Sequence, residues 1–332
     1  VAEQVRKGAS LVVIGELAFR LTGGRQISYL HHLAAAIAIS LAVMLYLQYS
    51  APLVVVMGVV AAVLLRAVLR SREDALMIEA LGVAMTMFLF EEINFEVDLS
   101  ILVAAAAIAF GFGYTSYRLR VADVSGLFSG AMIGIILIVF ADVRWFLIML
   151  TFFIIGAGAT RYHYAEKERL GVAQEHAGVR GYFNVFANGL VATGAAILYG
   201  VTGQPAFVAL FMGSVASAAA DTAASEIGVT GKTPYLITTL RPVPRGTNGG
   251  VTLRGEVAAV VASALVAVAA WVMGVADPWM VVVTVIAGFI GTNVDSLVGA
   301  TLENSGMIGN SGTNLTATFF GGVSGMLLYM LV

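Results

Sequence analysis

The chain has 332 residues, of which 59% are hydrophobic and only 11% charged, with a mean hydropathy of +0.92 and a net charge of −2. Soluble globular domains carry charge on roughly a quarter of their residues, so a soluble domain is excluded and a membrane protein is expected. The absence of cysteine excludes disulfides, thiolate metal sites and thiol nucleophiles, and the near-neutral balance gives no reason to expect a nucleic-acid partner.

Apolar segments of close to 20 residues recur along the chain, the length an α-helix needs to cross a hydrocarbon layer of about 30 Å. The alternation that marks a membrane β-barrel is missing. The fold class is therefore all-α, a polytopic integral membrane protein with about 10–11 transmembrane helices.

Residues 1 to 26 hold Arg6, Lys7, Glu16, Arg20 and Arg25 around the apolar run Leu11 to Ile14. This reads as an amphipathic helix on the membrane surface; as a shallow span, Glu16 and Arg20 would offset each other at (i, i+4). No signal-peptide pattern stands at this end. Spans are then predicted near 28–50, 52–70, 74–94, 97–118, 124–142, 143–163, 183–200, 204–222, 252–275, 278–300 and 314–332. Glu79, His31 and His32 are among the few polar groups in the early spans, and interfacial packing is the plain reading of the histidines.

With this topology one side of the membrane receives every Lys and Arg except Arg144. The positive-inside rule makes that side cytoplasmic, together with the amino terminus and the loops 164–181, 223–251 and 301–313. A charged run, RYHYAEKERLGVAQEHAGVRG, separates residues 1–163, a surface helix plus about six spans, from residues 164–332, which carry the polar motifs. Its plain reading is a solvated helix with Glu166, Lys167 and Arg169 facing water; the sharper one is a lid or phosphate-side arm.

The stretch Ala220 to Gly250, ADTAASEIGVTGKTPYLITTLRPVPRGTNGG, concentrates the chemistry. Asp221 and Glu226 lie about 140° apart around a regular helix and converge only if it unwinds between them. Small neighbours at 218–220 and 223–224 permit a close helix partner. A second carboxylate helix, GTNVDSLVGATLEN, places Asp295 before Ser296 as Asp221 precedes Thr222, with Glu303 farther on. Hard carboxylate oxygens of this kind suit Mg²⁺, which keeps waters and takes substrate phosphates.

The GTNGGVT turn, Gly246 to Thr252, precedes a helix start, where backbone amides bind phosphate well; an ordinary turn with an Asn cap is the competing reading. GVTGKT at 228–233 lacks the first glycine of a P-loop, since Glu226 occupies that place, which leaves Lys232 as a phosphate contact. Asn184, Asn188, Asn248, Asn293, Asn304, Asn310 and Asn314 recur at span ends on one side and suggest a polar chamber. His163 and His176 are too few and badly placed for a Ser-His relay, and neither HExxH nor an aspartate-rich prenyl-transferase stretch occurs.

NVFANG (184–189), ADTAASEIG (220–228), PYLITT (234–239), GTNGGVT (246–252) and DSLVGATLE (295–303), five motifs in order, resemble phytyl-phosphate kinase of plants and cyanobacteria, with its animal relative transmembrane protein nineteen and archaeal homologues. The resemblance covers residues 180 to 305, more loosely 115 to 181 in the archaeal type. It implies phosphorylation of an isoprenyl monophosphate to the diphosphate by a nucleoside triphosphate, with a distant relation to CTP-dependent polyprenol kinases that favours CTP. Plant members read Asp-Thr-Trp-Ala-Ser-Glu, whereas this chain has Ala223 at the aromatic place, which bears on prenyl length.

Asp221, Glu226 and Asp295 are accordingly expected as catalytic, Mg²⁺-binding groups, with Glu303 a fourth metal ligand. Lys232, Arg241, Arg245, Thr247, Asn248, Gly249, Gly250, Asn184, Asn188 and Asn304 are expected around the nucleotide and phosphates. Expected partners are a prenyl-phosphate lipid, a nucleotide and the bilayer, with homo-oligomerisation open. An ion-coupled transporter with carboxylates on interrupted helices is the alternative, and requires those acids near the bilayer midplane. A catalytically dead lipid-binding scaffold is a third option.

Overall fold

The computed structural model describes residues 2–23, 28–47, 51–69, 72, 74–173 and 178–331; Arg25, Arg70 and His176, and the side chains of Arg6 and Lys7, lie outside the described set. The chain is helical almost throughout, as its composition requires. In order the helices are α1 (Ala2–Leu21), α2 (Ser28–Leu47), α3 (Pro52–Val68), α4 (Ala75–Ile93), α5 (Leu99–Arg118), α6 (Val124–Phe140), α7 (Val143–Arg161), the short α8 (Tyr164–Arg169), α9 (Tyr182–Thr202), α10 (Pro205–Gly228), α11 (Leu253–Val272), α12 (Pro278–Val298) and α13 (Asn310–Met330). A π-helical turn, Gly299–Glu303, continues α12, and two-residue strands β1 (Tyr235–Leu236) and β2 (Gly250–Val251) pair antiparallel in the loop after α10.

A helix lies at each of the eleven predicted spans. Among the described residues, seven helices are long and apolar enough to cross a membrane, and α3 and α6 are shorter apolar helices. Helix starts follow from local chemistry. Asp98, Asp142 and Asp277 accept the amide protons of Ser100, Arg144 and Met280, each at 2.7 Å, and Pro205 and Pro278 sit in the first turns of α10 and α12, where a missing N–H costs nothing.

The chain divides into two compact units, Val1–Ile135 and Ile136–Val332. Packing places that division inside α6, whereas the charged run at 161–181 marks a break in exposed polarity. In the first unit α1 packs on α2 and α4, and α3 on α4. Leu11, Val12, Glu16 and Phe19 of α1 are buried, so this helix is held by neighbouring helices and does not rest on lipid contacts alone.

In the second unit α10 is the central helix, packed on α7, α9, α11, α12 and α13. Its run Gly213 to Ala220 is buried throughout because every side chain but Val215 is small. A Cβ on Gly213 would stand 2.4 Å from Gly321 O of α13, so this crossing needs glycine. Without a hydrophobic drive between helices in lipid, such close approach is what makes packing favourable. Asp221 and Glu226 are carried on the C-terminal third of this immobilised helix.

Candidate functional site

A cavity of about 250 Å³ lies where the C-terminal end of α10, the loop 229–252, the start of α11, the end of α12 and its π-turn meet. Asp221, Glu226, Arg245, Thr247, Asn248, Gly249, Gly250, Thr252, Glu256, Asp295 and Glu303 line it. Asp221, Asp295 and Glu303 thus bring three carboxylates from α10, α12 and its π-turn to one cavity wall. Asp295 Oδ1 is buried with no hydrogen-bond partner, while Glu303 is steadied by the Thr313 hydroxyl, which donates to its Oε2 at 3.0 Å.

The glycine turn is fitted to the carboxylate helix by shape. Gly249 has φ +78°, a region costly for other L-residues, and a Cβ there would stand 2.4 Å from Ala300 Cβ and 2.6 Å from Ser296 O. The turn therefore lies directly on the end of α12, one residue beyond Asp295. Ile237 N–H donates to Gly249 O at 2.9 Å, Asn304 Nδ2 donates to Asn248 O at 3.2 Å, and these bonds brace the turn from both sides. Thr252 caps α11 by accepting the Gly255 N–H at 3.0 Å.

Several expected residues have other jobs. α10 is regular through Gly228, so Asp221 and Glu226 diverge; Glu226, 5% exposed, accepts a hydrogen bond from Lys167 Nζ, which also donates to the carbonyls of Ala159 (3.1 Å) and Thr160 (2.7 Å). The expectation that Lys167 faces water is thus corrected: it is 1% exposed, because its ammonium finds three acceptors, one of them the Glu226 carboxylate. Arg180, next along the same segment, stacks over Phe152 and Phe153; burial pushes its guanidinium down to about 10, with the charge of Glu226 opposing.

Gly250 spends its N–H on Thr247 O at 2.9 Å and so offers no amide to a phosphate. The Thr247 hydroxyl is likewise given to Pro244 O at 2.8 Å. Lys232 and Arg241 are exposed and do not line the cavity, whereas Arg245 does. Asn184 and Asn188 stay within α9, where Asn188 Nδ2 donates to Asn184 O at 2.9 Å. Among the described residues no set of three or more His, Asp or Glu side chains is arranged to hold a metal alone, so four carboxylates do not converge as expected.

Residues 107–322 match the family model described as integral membrane protein DUF92. The chain belongs to that family. It is 37% identical over 177 residues to the uncharacterized membrane protein sll0875 of Synechocystis sp., covering 52% of this chain and 69% of that one. It is 33% identical over 211 residues to the uncharacterized membrane protein MJ0933 of Methanocaldococcus jannaschii, covering 63% and 87%. Protein VTE6, chloroplastic, of Arabidopsis thaliana is 36% identical over 166 residues, 48% of this chain and 50% of the plant protein. No solved structure matches.

The DUF92 match takes in every element that lines the cavity, including residues absent from the sequence-based set. Glu256 in the first turn of α11 reaches the lining and accepts from Asn293 Nδ2 at 3.3 Å. Its sequence signal, an acid four residues beyond the N-cap Thr252, reads equally as complementing the helix dipole. Ser296 also lines the cavity, with no local sequence signal beyond its place after Asp295, and so does Asn310, one of the span-end asparagines that suggest a polar chamber.

Proposed function

We propose that this protein is a membrane kinase that phosphorylates an isoprenyl monophosphate, of the phytyl or geranylgeranyl class, to the diphosphate. The donor is a nucleoside triphosphate, CTP favoured, and Mg²⁺ is the metal. One observation carries the reading: two carboxylates, Asp221 and Asp295, line one cavity with the glycine turn, and Asp295 Oδ1 is buried and unpartnered. Both acids are half-buried and neither has an ion-pair partner among the described residues; like charges brought together in a cleft disfavour ionisation, and a divalent cation is the natural compensation.

The donor set fits Mg²⁺, which typically takes one or two carboxylates and fills its octahedron with waters and substrate phosphates. Asp221 and Asp295 would hold it, and Glu303 lines the same cavity. When bound, the metal neutralises phosphate charge. The remaining work falls to this chain's own groups, since phosphoryl transfer depends chiefly on positioning and electrostatics. Arg245 supplies the cation on the facing wall, and Gly249 lets the turn approach without a side chain in the way. An oxygen of the acceptor monophosphate attacks the terminal phosphorus, the bond to the bridging oxygen breaks, and the nucleoside diphosphate leaves with that oxygen. A phosphate acceptor is a competent nucleophile near neutral pH, so no general base is required.

The cavity is smaller than a typical small-molecule pocket of roughly 300–1,000 Å³. It suits the phosphate groups and ion, with the base and the prenyl tail held outside it. The concentration of Lys and Arg on one side supports a cytosolic opening. The position of Asp221 toward the end of α10 and of Asp295 in the last turn of α12 weighs against a midplane transport site. The test is purified protein with Mg²⁺, geranylgeranyl or phytyl monophosphate, and CTP, ATP, GTP and UTP in turn, scored for prenyl diphosphate. Formation with one or more nucleotides supports the reading; none with any of them removes it.

A further inference from the structure

The first compact unit contains a polar cluster that the kinase reading leaves unused. Glu16 of α1, His32 of α2, Arg66 of α3 and Glu79 of α4 are 4%, 0%, 8% and 0% exposed. They sit about one helical turn inside the connections α1–α2 and α3–α4, so four helices direct an ionisable group to one level. Arg66 is the hub. Its Nε pairs with Glu16 Oε2 at 2.9 Å, its Nη1 donates to Glu79 Oε1 at 3.3 Å, and its guanidinium lies over the Phe19 ring at 4.9 Å.

Compensation within the cluster is unequal. Glu16 also accepts from Arg20 Nε at 2.5 Å, so each of its oxygens has a cation within ion-pair distance, although Oε2, like Glu79 Oε2, makes no hydrogen bond. Glu79 has only the longer contact to Arg66, and its Oε2 is buried with no partner among the described residues; both ring nitrogens of His32, whose ring lies against Gly15, are likewise unpartnered. Among the described residues, the charged groups facing Glu79 from the helices packed on α4 are Glu16 and Arg20 of α1 and Arg66 of α3. Arg20 is largely in solvent, where its field is screened.

We propose that Glu79 binds an exchangeable proton, taken from water on the side where α3 passes into α4. A proton on Oε2 removes the second negative charge from a site with, among the described residues, a single buried guanidinium, and intramembrane acids that persist without full pairing characteristically serve such a role. The cluster then holds Glu16 and Arg66 as a matched pair. Loss of the proton places uncompensated charge between α1, α3 and α4 and loosens the packing of α1.

The experiment is pH-difference infrared spectroscopy on the full chain in lipid nanodiscs, between about pH 6 and about pH 10, the range in which buried glutamates titrate. The wild type is expected to show a protonated-carboxyl band that fades as pH rises. In Glu79→Gln that component is absent, while Asp221→Asn and Asp295→Asn retain it, which separates this proposal from the kinase reading. Glu79→Asp is expected to keep the band at a shifted frequency. A band unchanged in Glu79→Gln, or unmoved in Glu79→Asp, overturns the proposal. So does failure of Glu79→Gln to fold, because a neutral isostere mimics the protonated state.

Discussion

Lys167 of α8 and Glu226 of α10 form a buried ion pair, joined by the carbonyls of Ala159 and Thr160 at the end of α7. The pair fastens the segment after α7 to the helix that carries Asp221. Removing one member of a buried pair leaves the other charge unpaired, at a cost of about 3–5 kcal/mol. Lys167→Met is therefore expected to lower the unfolding midpoint in detergent strongly, and Lys167→Met with Glu226→Gln to recover most of the loss. A double variant no more stable than Lys167→Met would show that the pair is not the source of the effect.

Gly249 and Gly306 both have positive φ, +78° and +75°, but only Gly249 has neighbours where a Cβ would stand. Gly306→Ala should cost only the left-handed backbone penalty of roughly 1–2 kcal/mol, with turnover retained. Gly249→Ala adds collisions with Ala300 and Ser296 O and should separate the turn from Asp295. The expected result is at least about a tenfold loss of kcat/KM, or about 1.4 kcal/mol. Equal activity in the two variants would contradict the fitted turn.

Three cations were expected at the phosphates and one lines the cavity. Arg245→Ala should raise the nucleotide KM by about tenfold or more, consistent with about 1.5–3 kcal/mol for a hydrogen bond to a charged group. Lys232→Ala and Arg241→Ala, at exposed positions, should change it by less than about threefold. Steady-state kinetics on the three variants decides the matter; equivalent losses in all three would restore the broader cationic site.

Mg²⁺ with a nucleotide should raise the thermal midpoint of the wild type, since a ligand that binds only the native state stabilises it by RT ln(1 + [L]/Kd). Asp295→Asn should abolish the Mg²⁺-dependent part of that rise while the metal-free midpoint stays the same or increases, because an acid with a buried, unpartnered oxygen has been neutralised. A full Mg²⁺ response in Asp295→Asn would place the metal elsewhere.

The membrane fold was legible because apolar runs dominate the chain: a helix lies at each of the eleven predicted runs, and among the described residues seven helices are long and apolar enough to cross a membrane. Asp221 and Asp295 were legible because aspartates in small-residue helices have few structural uses. The ion pair of Glu226 was not legible, because its partner Lys167 lies 59 positions away in a run whose composition reads as solvated. Periodicity fixes which face of a helix a side chain occupies but says nothing about what crosses that face. Gly250 shows the same limit at short range, since a glycine-rich turn offers amides only when its internal bonds leave them free, and Thr247 O takes this one. The first-unit cluster was hidden for a related reason. Glu16, His32, Arg66 and Glu79 are isolated in sequence, and tertiary packing alone joins them.

The most direct measurement is turnover of isoprenyl monophosphate by Asp221→Asn and Asp295→Asn, each first matched to the wild type by thermal midpoint and size-exclusion profile. The account predicts that both fall by at least about a hundredfold, the scale on which removal of a single preorganised electrostatic group acts, while each remains folded. Near-normal prenyl diphosphate formation by either folded variant would contradict it.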